Sequence, residues 1–413
     1  MRMLTVENNP FASVLYVMPK PVGSACNLAC SYCYYLEKGT TLGTGEDSKG
    51  QLMSDSTLEE FVKQYIAAQT VNEVVFTWHG GEAMMRPIKF YERAIELQRK
   101  YGKGREIVNC IQTNGTLLNA KWCEFLKRNN WLVGVSIDGP ADAHDAFRRT
   151  ALGKPTHQSV MRSIRLLQQY GVEWNAMAVV NSVNVKEPER FYDFFKQIGC
   201  RYIQFTPVVE RRPEGMGNLC SPDDAAGMLT EESITPAEWG EFAVRVFDRW
   251  VRNDVGTVYV QLFDATLAGW VGVTPGVCSL APSCGHAAMM EHNGDLYSCD
   301  HFAFPAFKLG NIHQQTIIEM MSSEQQRLFG LRKQQLLPRE CKECEYRKAC
   351  HGECPKNRFV VSPDGERHNY LCAGYKRYFA HVAPVMDFMA AELADHRAPA
   401  NIMGHPEILD SLD

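Results

Sequence analysis

Residues 26–35 read CNLACSYCYY, which sets Cys26, Cys30 and Cys33 at C-x3-C-x2-C spacing with tyrosines interleaved. Thiolates are soft ligands for zinc or for iron–sulfur clusters, and both a tetrahedral zinc and a fully ligated cubane call for four of them. Three thiolates leave one metal position open for a substrate or cofactor. A zinc site completed from elsewhere, or three buried thiols, is the other reading of the spacing alone. Eight more cysteines follow far downstream. Cys278 precedes Cys284-x9-Gly294-x4-Cys299, then Cys341, Cys344, Cys350 and Cys354 run C-x2-C-x5-C-x3-C, and Cys372 follows after seventeen intervening residues. Eight thiolates fill two cubanes with no open iron, or alternatively a pair of zinc ribbons. Cys110, Cys123, Cys200 and Cys220 are left over, and buried free thiols account for them.

The rest of the chain must be able to position these ligands. With 413 residues, 45% hydrophobic and 22% charged, it is an ordinary folded protein for which two or three domains are expected. A net charge of -5 and a pI near 6.2 give no footprint for nucleic acid. No apolar run approaches the roughly 18 residues that span a bilayer. The first residues lack the basic, apolar and cleavage regions of a signal peptide. A cytoplasmic protein is expected, in a reducing compartment where an odd total of fifteen cysteines points to metal rather than to disulfides.

Up to about residue 210, apolar runs alternate with amphipathic helices. Strands are predicted at SVLYVMP from Ser13, EVVFTWH from Glu73, EIVNCIQT from Glu106, WLVGVSID from Trp131, VEWNAMAVVN from Val172 and YIQFTPVV from Tyr202. Leu58, Phe61, Val62, Tyr65 and Ile66 make one helical stripe, with Ser56 and Glu59 as its capping box. Pro87 opens a second helix, and Gly171 ends a third that carries Val160, Ile164 and Leu167. Six βα units imply a parallel α/β sheet, barrel-like or doubly wound, whose active site lies on the loops after the strands. The cysteine triad follows the first strand, GGE (Gly80–Glu82) the second, QTNGTL the third and SIDGP the fourth. Residues 39–50 read as a mobile loop and 210–235 as a long polar connection, while the tail after Ala398 is expected to fray.

Taken together, CNLACSYCYY, GGE, QTNGTL, SIDGP, HDAFRR and the downstream cysteine pattern resemble the radical S-adenosylmethionine (SAM) enzymes that carry a SPASM auxiliary-cluster domain. With CDHF at 299–302 they are most similar to the anaerobic sulfatase-maturating branch. GGEAMM lacks the proline that often follows GGE in that family. The resemblance implies a partial (β/α)6 radical SAM barrel over 1–235, a helical connector over 236–277, a SPASM domain over 278–375, and a C-terminal helix and tail over 376–413. It implies three 4Fe-4S clusters and SAM as cofactors. Cys26, Cys30 and Cys33 would hold the SAM cluster; Cys278, Cys284, Cys299 and Cys354 the first auxiliary cluster; Cys341, Cys344, Cys350 and Cys372 the second. Tyr32, Tyr35, Gly81, Ser136, Arg148 and Val209 would bind SAM or line its pocket, and Asp300 would be the general base.

The reaction so implied is oxidation of a cysteine or serine in an unfolded sulfatase polypeptide to Cα-formylglycine, with a ferredoxin or flavodoxin as electron donor. Thioether or carbon–carbon crosslinking of a peptide is the alternative enzyme reading, although residues 1–12 are too short for a leader-binding segment. A zinc or cluster scaffold without catalysis is the third. No coiled-coil or long apolar stripe is present, so a monomer is expected.

Overall fold

A computed structural model describes residues 15–44, 52–214, 217–224 and 226–412. The expected strand start at Ser13, residues 1–12, and residues 45–50 of the expected 39–50 loop lie outside the described residues, whereas Lys38–Thr41 form a short helix rather than a loop. In chain order the strands that position the site are β1 (Tyr16–Pro19), β2 (Glu73–Trp78), β3 (Glu106–Thr113), β4 (Leu132–Ser136), β5 (Trp174–Val180), β6 (Tyr202–Pro207), β7 (Arg211–Arg212), β8 (Met228–Leu229), β9 (Tyr259–Val260), β10 (Ala287–Met290), β11 (Asp295–Tyr297) and β12 (Lys308–Asn311). The chain divides into two compact units. One comprises Met1–Ser136, Arg148–Trp174 and Cys284–Arg332; the other comprises Ile137–Phe147, Asn175–Ser283 and Lys333–Asp413.

In the first unit β2, β3 and β4 run parallel, with Glu73 opposite Glu106 and Cys110 opposite Leu132. Val74, Phe76 and Trp78 alternate into the core, as the period of two requires. The helix Asp55–Ala68 lays its Leu58, Phe61, Val62, Tyr65 and Ile66 stripe into the same core, and Phe61 meets Phe76 edge-on at 5.9 Å. That helix starts two residues earlier than the Ser56–Glu59 capping box predicts. Ser54 is the N-cap and accepts from Thr57 N at 3.1 Å, because buried Met53, held by Pro21 O at 2.9 Å, fixes where the chain enters. Glu59 instead faces Lys100 and Tyr101. β1 finds its ladder partner late in the chain. It pairs in parallel with β10, Tyr16 opposite Ala287, and β10–β11–β12 continue antiparallel.

In the second unit β5, β6 and β9 run parallel. The helix Pro236–Val251 begins with a true capping box, Thr235 with Glu238. It packs on the helix Cys372–Ala394 where Gly240 and Gly374 let the backbones touch; a Cβ on Gly374 would lie 2.2 Å from Pro236 O. The 210–235 connection contains the small β7–β8 hairpin, with Arg211 donating to the carbonyls of Asp224 and Ala226. The tail does not fray. Residues Pro399–Gly404 and Pro406–Leu409 are helical, and Ile402 and Leu409 are buried, because their apolar side chains find the unit's core.

Candidate active site and cluster ligands

The triad loop leaves β1 through tight turns, with Gly23 N on Lys20 O at 3.0 Å and Ala25 N on Val22 O at 3.1 Å. The GGE segment after β2 holds this loop from the side. Gly81 N donates to Gly23 O at 2.8 Å and Glu82 N to Ala25 O at 2.9 Å. A Cβ on Gly81 would stand 1.9 Å from Ala25 O, so only glycine admits that approach. Glu82 is fully buried and accepts from Met84 N at 2.8 Å, Thr113 Oγ1 at 2.8 Å and Asn114 N at 2.7 Å. Burial nevertheless raises its carboxyl above the ordinary range against those three bonds. Asn114, thus fixed at the end of β3, reaches Asn27 Oδ1 at 2.8 Å and Cys26 Sγ at 3.7 Å.

Leu28 N also donates to Cys26 Sγ at 3.4 Å. Burial pushes the Cys26 thiol up to about 12, with Cys30 and Cys33 among the neighbours that raise it further. Three thiols close enough to oppose one another's ionisation, with N–H donors aimed at sulfur, fit a cluster that takes them as thiolates.

Of the residues expected at SAM, five lie in this same unit. Tyr32 is buried with the Arg148 guanidinium 5.5 Å from its ring centroid. Gly81 lies on the loop after β2, and Ser136 Oγ at the end of β4 accepts from Gln112 Nε2 at 2.9 Å. Tyr35 is buried and its hydroxyl donates to Glu291, which also meets His292 Nδ1 at 3.0 Å. Val209 is buried in the second unit, just beyond β6.

Asp300 is no exposed turn residue; it is 7% exposed. Lys20 Nζ lies 2.8 Å from its Oδ1, and the Tyr34 hydroxyl donates to its Oδ2. Burial would raise this carboxyl, but the Lys20 ammonium beside it outweighs that and holds it well below the usual carboxylate range. His79 is pushed down to about 3, by burial first and Lys20 second, and so is neutral. The sequence singled out neither Lys20, Tyr34 nor His79. The available signal was Lys20 itself, a charge set directly on the end of an apolar strand.

The four ligands expected for the first auxiliary cluster are divided two and two between the units. Cys284 and Cys299 pack beside Phe302, Phe307 and Phe329 in the first. In the second, the Cys278 carbonyl accepts from buried Lys333 at 2.8 Å, and Cys354 begins the short turn Pro355–Asn357. The second auxiliary set converges within one unit. Cys341, Cys344, Cys350 and Cys372 line a single cavity with Tyr375, Lys376 and Phe379. Burial pushes Cys350 up to about 12 and Cys372 to about 11, and each feels Cys341 as well. Four thiols around one apolar cavity fit a fully ligated cubane.

Residues 21–195 match the family model of the radical SAM superfamily, and residues 283–345 match that of the SPASM iron-sulfur cluster-binding domain. The chain is 56% identical over 398 residues to a serine-type anaerobic sulfatase-maturating enzyme of Bacteroides thetaiotaomicron, covering 95% of each protein. The chain belongs to the anaerobic sulfatase-maturating family. A cysteine-type member from Clostridium perfringens is 30% identical over 374 residues, covering 90% of this chain and 96% of that protein. A solved structure of this family, native anSMEcpe with bound AdoMet and Cp18Cys peptide, superposes with a TM-score of 0.80 at 29% identity, covering 92% of this chain and 99% of that one. This sulfatase-maturating family member is thus a radical SAM enzyme whose parallel strands form the partial barrel and whose Cys284, Cys299, Cys341 and Cys344 fall within the SPASM match. No helix among the described residues is long and apolar enough to cross a membrane.

Proposed function

We propose that this enzyme oxidises a serine, or a cysteine, in an unfolded sulfatase polypeptide to Cα-formylglycine, and that serine is its preferred side chain. The 56% likeness to a serine-type relative supports the preference. The observation that carries the reading is Asp300: directly after Cys299, buried, paired to Lys20 and bonded by Tyr34, the residue next to triad member Cys33.

When bound, SAM on the triad's 4Fe-4S cluster supplies a radical able to take a Cβ hydrogen, and the auxiliary clusters accept one electron, chemistry that side-chain acids and bases lack. The chain's own residues do the rest. Cys26, Cys30 and Cys33 would hold the first cluster as its three thiolate ligands. Cys278, Cys284, Cys299 and Cys354 hold the second, and Cys341, Cys344, Cys350 and Cys372 the third. Gly81, Ser136, Arg148 and Val209 hold SAM, with Tyr32 and Tyr35 lining its pocket. Asp300 takes the hydroxyl or thiol proton. Loss of a hydrogen atom, a proton and an electron from CH2–OH leaves an aldehyde. From CH2–SH it leaves a thioaldehyde, which water converts to the aldehyde with release of hydrogen sulfide.

The barrel is assigned to 1–235, the connector to 236–277, the SPASM domain to 278–375 and the tail to 376–413. The enzyme works as a cytoplasmic monomer with a ferredoxin or flavodoxin as donor.

The test is anaerobic incubation with sulfatase-motif peptides bearing serine or cysteine, read by mass spectrometry. An aldehyde product is expected, faster from serine. SAM cleavage with no peptide product would overturn the reading, and normal turnover by Asp300→Asn would remove the base.

A further inference from the structure

Lys20 is the most unusual charge in the first unit. It directly follows the apolar strand β1, it is 0% exposed, and its backbone is locked on both sides: Lys20 N donates to Met290 O at 2.8 Å, and Gly23 N to Lys20 O at 3.0 Å. A buried ammonium is costly unless every donor is used. Here its neighbours are Asp300 Oδ1 at 2.8 Å, His79 Nδ1 at 3.1 Å and the face of Tyr35, 4.5 Å from the ring centroid. His79 Nδ1 also accepts from Gly80 N at 2.8 Å. A ring nitrogen that accepts from two donors carries no proton, so the imidazole is neutral with its hydrogen on Nε2. His79 therefore anchors Lys20 as an acceptor and adds no charge that would repel it. The consequence for Asp300 is asymmetric. Oδ1 faces a cation that can only donate, whereas Oδ2 faces the Tyr34 hydroxyl, which can donate or accept.

We propose that Lys20 is the positioning residue for Asp300. Clamped between β10 and His79, it occupies Oδ1 and fixes the carboxylate plane, so the proton leaving the substrate side chain is received on Oδ2. The inference rests on the assignment of Asp300 as base. In that step the substrate O–H or S–H bond breaks and an O–H bond forms at Oδ2. The Tyr34 hydroxyl then turns from donor to acceptor. No electron moves in the transfer itself, and Lys20 keeps its three protons throughout. The Lys20 ammonium meets Oδ1, His79 and the Tyr35 ring, so its removal should spoil proton transfer at Oδ2 and leave the cysteine ligands themselves in place.

The experiment compares Lys20→Met, Lys20→Arg, Asp300→Asn and the Lys20→Met/Asp300→Asn double variant, each reconstituted with iron and sulfide. Iron content, melting temperature, peptide KM, 5′-deoxyadenosine yield and formylglycine yield are measured for each. Lys20→Met should keep its iron and peptide KM and still cleave SAM, while formylglycine formation falls by about 10²-fold, the lower range for a misplaced general base. Lys20→Arg should recover part of that loss. Adding Lys20→Met to Asp300→Asn should slow product no further, because the lysine acts only through the aspartate. The melting temperature lost in Lys20→Met should return in the double variant, a readout independent of turnover. A wild-type ratio of formylglycine to 5′-deoxyadenosine in Lys20→Met overturns the proposal, as does a full further loss in the double variant. Should Lys20→Met fail to fold, a loss in Lys20→Arg that adds in full to that of Asp300→Asn overturns it equally. Normal turnover by Asp300→Asn would instead sink the assignment of the base, so the two failures are distinguishable.

Discussion

Replacing Gly81 by alanine adds one methyl group at the tightest point of the triad's support. Its Cβ would stand 1.9 Å from Ala25 O, where real contacts essentially never fall below 3.0 Å, so that carbonyl has to retreat by about 1.1 Å. The obstacle is backbone, and no side-chain rotation relieves it. Ala25 O accepts from Glu82 N at 2.9 Å and Gly23 O from Gly81 N at 2.8 Å, so both bonds are broken or stretched together. Overpacking of this kind costs about 1–3 kcal/mol, and two hydrogen bonds contribute about 1 kcal/mol each, which gives about 3–5 kcal/mol in all. Because Ala25 adjoins Cys26, the displacement should also cost iron at the triad. Urea unfolding and iron analysis of Gly81→Ala, prepared anaerobically beside the parent, measure both effects. A variant with parental stability and a full complement of iron would refute the argument that this glycine exists to let two backbones meet.

Other outcomes follow from the same geometry. Removing one ligand of the second auxiliary set by Cys372→Ala should lower bound iron from about twelve to about eight atoms per chain, since a cubane carries four. Glu82 ionises less readily folded than unfolded, so the folded state holds the extra proton and stability should decline as pH rises from about 4.5 through the raised value. Glu82→Gln should flatten that decline in melts taken across pH. Ile402→Ala should cost about 2–5 kcal/mol in urea unfolding, as for a core isoleucine; a loss under about 0.5 kcal/mol would fit a loose tail instead.

What the sequence made legible was whatever has local cause. Runs rich in Val, Ile, Phe and Trp located β2, β4 and β6 to within a residue or two and β3 to the residue, because buried parallel strands need that composition over short spans. Cysteine spacing announced metal ligands, and one set that the family resemblance implied, Cys341, Cys344, Cys350 and Cys372, lines a single cavity. The start of the first long helix was misplaced by two residues because a capping pattern at Ser56 competes with one at Ser54, and only the buried side chain of Met53 decides between them. The pairing of β1 with β10 was illegible, since nothing in YVMP specifies AAMM as its neighbour. Lys20 escaped for a related reason. A lone lysine beside prolines reads as solvated, and the carboxylate that justifies its burial stands on a distant stretch of chain.

That late pairing constrains how the molecule comes into being. The strand leading to Cys26 emerges from the ribosome early, yet the backbone that completes its ladder, Ala287–Met290, is among the later parts to be translated. Until then the nascent loop has the GGE segment beside it but no ladder partner for β1, and Lys20 has no anion to face. Cluster insertion at the triad would therefore act on a chain already translated past Ala287–Met290, and a product truncated before that strand would present three thiols to the cell without the framework meant to hold them.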